Sequence, residues 1–176
     1  MTLLHDQLIS LRAVEPEDLD NIYDWENDTC SWTNSLTTAP YSHHQVRRYI
    51  ASTQSDIYKE GELRLIIECN ADHAVVGIID LCDLDVRNSH TAVSIYIASE
   101  YRHSGHAHAA LSILTRYAFD FLKLKQLYAY IAVSNTASIR LFTKAGFSTT
   151  ALLRNWIYEN GHWTDVQLFQ LINSNA

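Results

Sequence analysis

The sequence of 176 residues has little of what interrupts or cross-links a chain: 2 prolines, 5 glycines and 3 cysteines. So few prolines and glycines, with 47% hydrophobic residues, exclude a disordered or fibrous protein. Cys30, Cys69 and Cys82 are odd in number and form no Cys-x-x-Cys pair, which excludes a disulfide framework and a zinc knuckle. Free cysteines predict a reducing, cytoplasmic location.

Long apolar runs and positive charge are also scarce. The longest uncharged run, residues 29–46, is rich in Thr, Ser, Asn and His, so we expect no membrane segment. With 13 Lys and Arg against 20 Asp and Glu, the formal net charge is -7, which argues against nucleic-acid binding and favours a cationic partner. The length predicts one domain, residues 1–176.

Hydrophobic spacing predicts an α+β domain with a mixed, mostly antiparallel sheet flanked by helices. Predicted helices begin near Pro16, after the capping-box pattern Ser42-x-x-Gln45, near Ala107 and after Asn135. A hairpin turn is predicted at residues 158–161. The predicted strands are residues 9–14, 62–69, 75–81, 91–98, 127–133, one before that turn, and 166–172.

The strongest functional signal is the run of residues 95–108, which reads as a strand, a turn and the start of a helix. The turn carries the pattern Arg102-x-x-Gly105-x-Ala107. Free backbone N–H groups and the positive end of a helix dipole suit a phosphate, and small side chains let it approach. The same residues are also typical of an ordinary tight turn.

A second motif follows this turn: Asn135-x-x-Ser138-x-x-Leu141-Phe142-x-x-Ala145-Gly146-Phe147. The two motifs, in this order and on these elements, resemble the GNAT superfamily of acyl-CoA N-acyltransferases. Within it, the chain is most similar to the branch that holds spermidine N-acetyltransferases and ribosomal-protein N-terminal acetyltransferases. The resemblance covers nearly the whole chain and implies a GNAT fold and acetyl transfer from acetyl-CoA to an amine.

The resemblance also implies where the coenzyme binds. The strand at residues 94–98 is expected to splay from its neighbour and to hold the pantetheine arm through backbone groups of Tyr96 and Ala98. N–H groups beside Tyr96 would bind the thioester carbonyl, so Tyr96 is also an expected catalytic position. The residues expected to contact the coenzyme are Tyr96, Ile97, Ala98, Arg102, His103, Ser104, Gly105, His106, Ala107, His108, Asn135, Ser138 and Phe142.

Two catalytic groups common in the superfamily are missing. Phe142 stands where relatives have a proton-donating tyrosine, and Ala92 is followed by Val93 where an acid is common. Ser138, which matches a serine of the ribosomal-protein branch, is therefore the expected donor to the thiolate, although it is equally typical of a polar first turn. A base would come from Asp80, Asp83, Asp85, Glu26 or a water that they hold, unless these are ordinary solvated carboxylates.

The amine acceptor is expected among aromatic and acidic side chains, a combination that suits an extended cation. The substrate-binding residues assigned here are Trp25, Glu26, Asp80 and Asp83. Further aromatic residues in acceptor segments are Trp32, Tyr41 and Trp156, and further acids are Asp24 and Asp28. The aromatic residues are equally typical of a core or of a dimer contact.

Three histidines, His103, His106 and His108, lie in and after the turn. Their spacing is poor for convergent ligation, so we expect no metal site. Protonation of His103 or His106 would add positive charge to the phosphate site, which predicts tighter coenzyme binding at pH 6 than at pH 8.

Three functions remain open. The first is an N-acetyltransferase of a polyamine or similar small amine, which the acidity favours. The second is acetylation of a protein N-terminus, which Ser138 favours. The third is an acyl-CoA-binding module without turnover, which Phe142 and Val93 favour. Relatives form dimers and larger rings, so a homo-oligomer is also expected.

Overall fold

The computed structural model of the protein describes residues 3–29, 32, 37–53, 56–159 and 161–174. One seven-stranded sheet runs through it in the order β1-β2-β3-β4-β5-β7-β6. The strands are β1 (Ile9–Arg12), β2 (Leu63–Cys69), β3 (Val75–Asp85), β4 (His90–Ile97), β5 (Gln126–Ala132), β6 (Ser148–Glu159) and β7 (His162–Ile172). Neighbours are antiparallel except β4 and β5, which are parallel, so the predicted α+β class with a mixed sheet is confirmed.

Five α-helices lie in these ranges, and the second, third and fifth begin at a side-chain cap, from Ser42, Asp56 and Asn135. They are α1 (Leu19–Glu26), α2 (His43–Ser52), α3 (Ile57–Glu60), α4 (His106–Arg116) and α5 (Thr136–Lys144). A 3-10 turn, Pro16–Asp18, leads into α1, and α4 continues as the π-helical turn Tyr117–Phe121. The predicted capping box holds α2: the Gln45 N–H donates to Ser42 Oγ (3.2 Å), and the Ser42 N–H donates to Gln45 Oε1 (2.8 Å). None of the helices described is long and apolar enough to cross a membrane.

The helices cover the sheet on both faces, and strand alternation assigns side chains to each face. Ile79 and Leu81 of β3 join the larger core, which is packed by α4 and α5. Ile78, on the opposite face of the same strand, joins a smaller cluster with Ile22 of α1 and Val46 of α2. The smaller cluster leaves room for polar side chains between the sheet and the first two helices.

Three differences from the predicted elements are larger than shifts of one or two residues at a strand end. Strand β3 runs on to Asp85 through a bulge after Cys82, where Asp83 has a left-handed φ of 54°. Strand β7 begins at His162 because the hairpin with β6 is longer than predicted, while Asn160 of the predicted turn lies outside the described residues. Helix α3 was not predicted, because four residues are too few for a helical period; Gly61, with φ 75°, ends it.

Of the three cysteines, Cys69 and Cys82 are free thiols, and Cys30 lies outside the described residues.

The pairing of the two parallel strands bears directly on function. Strands β4 and β5 pair only from His90↔Gln126 to Ala92↔Tyr128, whereas β5 pairs with β7 along its whole length. The two parallel strands therefore separate after Ala92, and the sheet opens toward their carboxyl ends.

Candidate active site

The register of β4 decides which of its backbone groups face the opening. Ala98 donates its N–H to the Val76 carbonyl of β3 (3.0 Å). Tyr96 lies two residues earlier, opposite Ile78. Its carbonyl oxygen points at β3, since a Cβ atom added to Gly77 would collide with it. Alternate residues of a strand direct their backbone groups to opposite sides. The backbone groups of Tyr96 and Ala98 are therefore directed to β3.

The intervening residues face the opening. At the closed end, the Ser89 carbonyl accepts the N–H of Gln126 of β5 (3.2 Å), which fixes the odd-numbered residues on the β5 side. Beyond the last pair, Ile95 and Ile97 direct their backbone groups into the gap, where the Ile97 carbonyl accepts from Arg102 Nε (2.9 Å). We expected the free backbone groups of β4 to be those of Tyr96 and Ala98. They are those of Ile95 and Ile97 instead, because residues that are neighbours in a strand direct their backbone groups to opposite sides.

The turn after β4 has the geometry expected of an anion site. Gly105 is the residue before α4. Its φ is 87°, a backbone conformation that residues other than glycine rarely adopt. A Cβ atom there would meet only Leu8 Cδ2, at 3.7 Å, so conformation rather than space requires the glycine. The first N–H groups of α4, including those of His106 and Ala107, have no helical acceptor and are available to an anion.

The basic side chains of this turn do not all face it. His106 is 8% exposed, and its Nδ1 lies 3.2 Å from the Tyr101 carbonyl. The Arg102 guanidinium turns back toward β4 and lies 5.9 Å above the Tyr96 ring. His103 and Ser104 are exposed and His108 is half-buried, so these three stay at the rim.

Helix α5 starts beside the opening, directly after β5. Asn135 caps it, with Oδ1 accepting the Ser138 N–H (3.1 Å), as predicted. Ser138 is half-buried, and its hydroxyl makes no hydrogen bond within the described part of the chain. Phe142, one turn further, is 3% exposed and packs edge-on against Phe147 at 5.0 Å between ring centroids. Phe142 is therefore a core residue behind the opening.

A cavity of about 540 Å³ lies on the face of the sheet covered by α1 and α2. Tyr41 and Tyr49 form part of its wall, and Ser94 of β4 is exposed in it. Ser94 immediately precedes Ile95, so the cavity meets the free edge of β4 at this point. Among the described residues, the carboxylates that line the cavity are Glu26, Glu62, Asp80 and Asp83, and the one cation that lines it is Arg64.

Arg64 lies between two of these acids. Its Nε and Nη2 donate to the two oxygens of Asp80 (3.0 Å each), and Nη1 donates to Glu26 Oε1 (2.7 Å). Burial raises the pKa of Asp80, and the Arg64 charge opposes that shift. Burial lowers the pKa of Arg64, but the Asp80 and Glu26 carboxylates outweigh it, so Arg64 stays charged.

Cys82 also lines the cavity. Burial, with the nearby charges of Asp80 and Asp83, raises the pKa of its thiol to about 12. The side chain is therefore a neutral thiol at physiological pH and offers no nucleophile there.

The other predicted acceptor residues lie around the cavity rather than in its lining. Trp25 packs against Tyr96, with ring centroids 5.7 Å apart, and Trp32 Nε1 donates to the Glu26 carbonyl oxygen (2.9 Å). The Tyr96 hydroxyl donates to Asp28 Oδ2 (3.4 Å). Burial first, and then the Asp28 charge, raises the pKa of Tyr96.

Three predicted residues lie away from the cavity. Trp156 is 60% exposed on β6, and Asp24 is exposed on α1. Asp85 accepts from the N–H and Nδ2 of Asn88 (2.8 and 2.7 Å), so it stabilises the turn between β3 and β4. The structure thus brings Glu26, Asp80, Asp83 and Tyr41 together in the cavity lining. Trp25, Trp32 and Asp28 lie around this lining, and Trp156, Asp24 and Asp85 lie away from it.

Sequence reasoning missed Glu62, Arg64, Tyr49 and Ser94. A signal for Arg64 was present: it is the one cation within the apolar strand β2, and Asp80 is the one acid in the apolar first half of β3. The register pairs these two residues directly. Glu62 and Ser94 carry no comparable signal, because an acid before a strand and a serine in one are common.

Residues 9–148 match the family model described as "Acetyltransferase (GNAT) domain". The chain belongs to this acetyltransferase family, in which a sheet opened between two parallel strands and a glycine turn before a helix are the coenzyme-binding features that the sequence resemblance predicted.

Among its relatives, the chain is similar to spermidine N(1)-acetyltransferase of Vibrio cholerae, at 24% identity over 94% of each chain. It is 31% identical to a putative ribosomal N-acetyltransferase of Bacillus subtilis, over 57% of this chain and 55% of the relative. The crystal structure of spermidine N-acetyltransferase from Vibrio cholerae in complex with CoA and spermine has a TM-score of 0.86, with 23% identity, and covers 96% of this chain and 98% of that one.

Proposed function

We propose that the protein is an acetyl-CoA-dependent N-acetyltransferase of a polyamine or a similar small amine. The observation that carries this proposal is the acid-lined cavity that meets the free edge of β4 at Ser94. An amine held in the cavity reaches a thioester bound along that edge. The family membership and the similarity to spermidine acetyltransferases support the same reaction.

The residues around the opening fit coenzyme A. The backbone groups of Ile95 and Ile97 suit the amides of a pantetheine arm, and the turn at Gly105 suits a pyrophosphate. Asn135 and Ser138, at the start of α5, flank the same opening. These are the residues that would hold the coenzyme.

Bound acetyl-CoA supplies an activated acyl carbon: the amine nitrogen forms a bond to this carbon, the carbon–sulfur bond breaks, the amine loses a proton, and the sulfur gains one. The chain must therefore stabilise charge on the carbonyl oxygen and move two protons. The Ile95 or Ile97 N–H, on the free edge, would donate to the carbonyl oxygen.

Ser138 is the proposed proton donor to the sulfur. Its hydroxyl has no partner in the described structure and lies near the start of α5, beside the opening. Phe142, where relatives carry a tyrosine, is buried and has no proton to give. We therefore assign to Ser138 the proton donation that Phe142 cannot provide.

The base is proposed to act through water in the cavity. Asp80 and Glu26 already accept hydrogen bonds from Arg64, but each carboxylate oxygen has a further lone pair for a water. Asp80 pairs with Ser94 in the sheet register, so a water beside Ser94 would lie between Asp80 and the incoming amine. This water would take the proton that an ammonium must lose before attack.

The proposal is tested by incubating the protein with acetyl-CoA and a panel of polyamines, other small amines and peptides with free N-termini, while free thiol is followed. We expect turnover with polyamines above all other acceptors. Preferred turnover of peptides would support N-terminal acetylation instead. Stoichiometric CoA binding without thiol release from any acceptor would contradict an enzyme and support a binding module.

We also propose a cytoplasmic location, in keeping with the free thiols of Cys69 and Cys82. A homo-oligomer stays a prediction. The exposed aromatic pair Tyr158 and Trp163, with ring centroids 5.1 Å apart on the β6–β7 hairpin, is compatible with a contact between subunits.

A further inference from the structure

We infer that Gly77 of β3 is a positioning residue of the coenzyme site: it lets β4 lean against β3 and so aims the Ile97 N–H at the pantetheine arm. This inference rests on the proposed function and deepens it, because it names a residue on which the free edge of β4 depends. Gly77 itself lies on the far side of β4 from the opening and has no side chain to offer a ligand.

Space, rather than backbone conformation, requires a glycine at position 77. Of the five glycines, all of them within the described residues, only Gly77 does not have a positive φ. A Cβ atom on Gly77 would lie 2.2 Å from the Tyr96 carbonyl oxygen and 3.1 Å from Ile97 Cα. The first distance is far inside van der Waals contact, and both atoms belong to the backbone of β4. A methyl group at position 77 would therefore have to push the strand itself away.

The close contact fixes the direction of one peptide group. The Tyr96 carbonyl and the Ile97 N–H belong to the same planar trans peptide, in which the two groups point in opposite directions. Because the carbonyl oxygen lies against Gly77, the Ile97 N–H points away from β3 and into the opening. The next N–H along the strand, that of Ala98, donates to the Val76 carbonyl (3.0 Å) and is already used within the sheet.

The same contact bears on the width of the opening. The described pairing of β4 with β5 ends at Ala92↔Tyr128, so where β4 passes Gly77 the sheet holds it from the β3 side. How far β4 leans toward β3 then sets the space that is left for a ligand. To restore a normal contact with a Cβ atom at position 77, β4 would have to move about 1 Å toward the opening.

The place of Ile97 along the edge indicates which part of the coenzyme it would bind. The turn at Gly105, which suits the diphosphate, follows β4, whereas the cavity meets the edge at Ser94, three residues before Ile97. Ile97 is thus nearer the turn, and Ile95 is nearer the cavity. The Ile97 N–H would therefore bind an amide carbonyl of the pantetheine arm and leave the Ile95 N–H to the thioester.

Gly77→Ala tests the inference through binding alone, without an acceptor. Calorimetry gives the Kd for CoA and for adenosine 3′-phosphate 5′-diphosphate, the part of the coenzyme that lacks the pantetheine arm. We expect Gly77→Ala to raise the Kd for CoA about tenfold and to leave the Kd for the nucleotide at the wild-type value. The reason is that a shift of about 1 Å at Ile97 spoils hydrogen bonds to the arm and leaves the turn in place.

Ala118→Val is the matched control. It adds bulk at a fully buried position of the turn Tyr117–Phe121, outside β3 and β4, and should lower the stability through overpacking without a change in either Kd. A Gly77→Ala variant that binds CoA as the wild type does, or that loses affinity for CoA and for the nucleotide by the same factor, would overturn the inference and leave the proposed function intact.

Amide exchange in the wild-type protein gives a second test, which does not depend on the folding of a variant. CoA should slow the exchange of the Ile97 N–H, and the nucleotide should not. Unchanged exchange at Ile97 with saturating CoA would overturn the inference alone. A wild-type protein that binds no CoA would overturn both the inference and the proposed function, whereas CoA binding without turnover of any amine would count against the proposed function only.

Discussion

Arg64 on β2 donates to both carboxylate oxygens of Asp80 on the neighbouring strand β3, at 3.0 Å each. The same guanidinium reaches Glu26 of α1 and packs over Tyr49 of α2. One side chain thus connects the sheet to both helices that enclose the cavity. The cavity depends on it for its shape, and the distribution of charge inside depends on it as well.

Replacement of Arg64 by methionine should destabilise the protein, because it leaves Asp80 buried without a counter-charge. The expected loss is about 3–5 kcal/mol in the free energy of unfolding, measured by denaturant titration at pH 7. Burial already raises the pKa of Asp80, and removal of Arg64 removes the opposing effect. The deficit should therefore shrink as the pH is lowered and Asp80 becomes protonated.

Arg87→Met, on the exposed turn between β3 and β4, is the matched control and should change the stability little. An Arg64→Met deficit that is as small as that of the control, or that grows at acid pH, would contradict this account of Arg64 and its two carboxylates.

Gly105→Ala should weaken coenzyme binding. The φ of 87° is strained for alanine, at a cost of about 1–2 kcal/mol, and relaxation of that strain displaces the N–H groups of the turn. Gly61→Ala is the matched control, because Gly61 has φ 75° and lies at the end of α3, away from the opening. We expect both variants to lose stability and Gly105→Ala alone to raise the Kd for CoA in calorimetry. Equal Kd values for the two variants would show that the turn does not bind the coenzyme.

Ser138→Ala should separate catalysis from binding. Loss of a proton donor to the departing thiolate is expected to lower kcat by about a hundredfold, while the Kd for CoA changes little. Thr143→Ala, at an exposed position of the same helix, controls for the loss of a hydroxyl group. A kcat that is unchanged in Ser138→Ala would mean that the thiolate leaves unaided or takes its proton elsewhere.

Coenzyme affinity should be higher at pH 6 than at pH 8, and His103 should be responsible. His106 is buried against Tyr101, so His103 is the exposed histidine in the turn itself. Asparagine tolerates the φ of 65° at this position. In calorimetry, the affinity of His103→Asn for the coenzyme should therefore differ less between pH 6 and pH 8 than that of the wild-type protein. His44→Asn, on α2, should keep the wild-type difference.

Much of the fold follows from local sequence signals. The capping box at Ser42 and the cap at Asn135 fix the starts of two helices through side chains a few residues apart, and both are found as predicted. The family resemblance was equally accessible, since its two motifs lie on a strand and two helices that follow one another in the sequence.

The sequence alone does not determine which way individual backbone groups and side chains point in the folded protein. The side of β4 that Ile95 and Ile97 face depends on pairing with Val76 and Ser89, which lie on other segments and set the register. The ion pairs of Glu26 and Asp80 likewise require Arg64 from a third element. Contacts among residues of three separate elements form only in the folded chain, and the spacing of residues along the sequence does not predict them.

The account's central claim is that coenzyme A lies along the free edge of β4 with its diphosphate on the turn at Gly105. A crystal structure of the protein with CoA tests it most directly. We expect pantetheine amides within hydrogen-bonding distance of Ile95 and Ile97 backbone atoms, phosphate oxygens on the N–H groups that begin α4, and the sulfur beside Ser138. Coenzyme bound elsewhere, or an opening between β4 and β5 that stays empty at saturating CoA, would contradict the account.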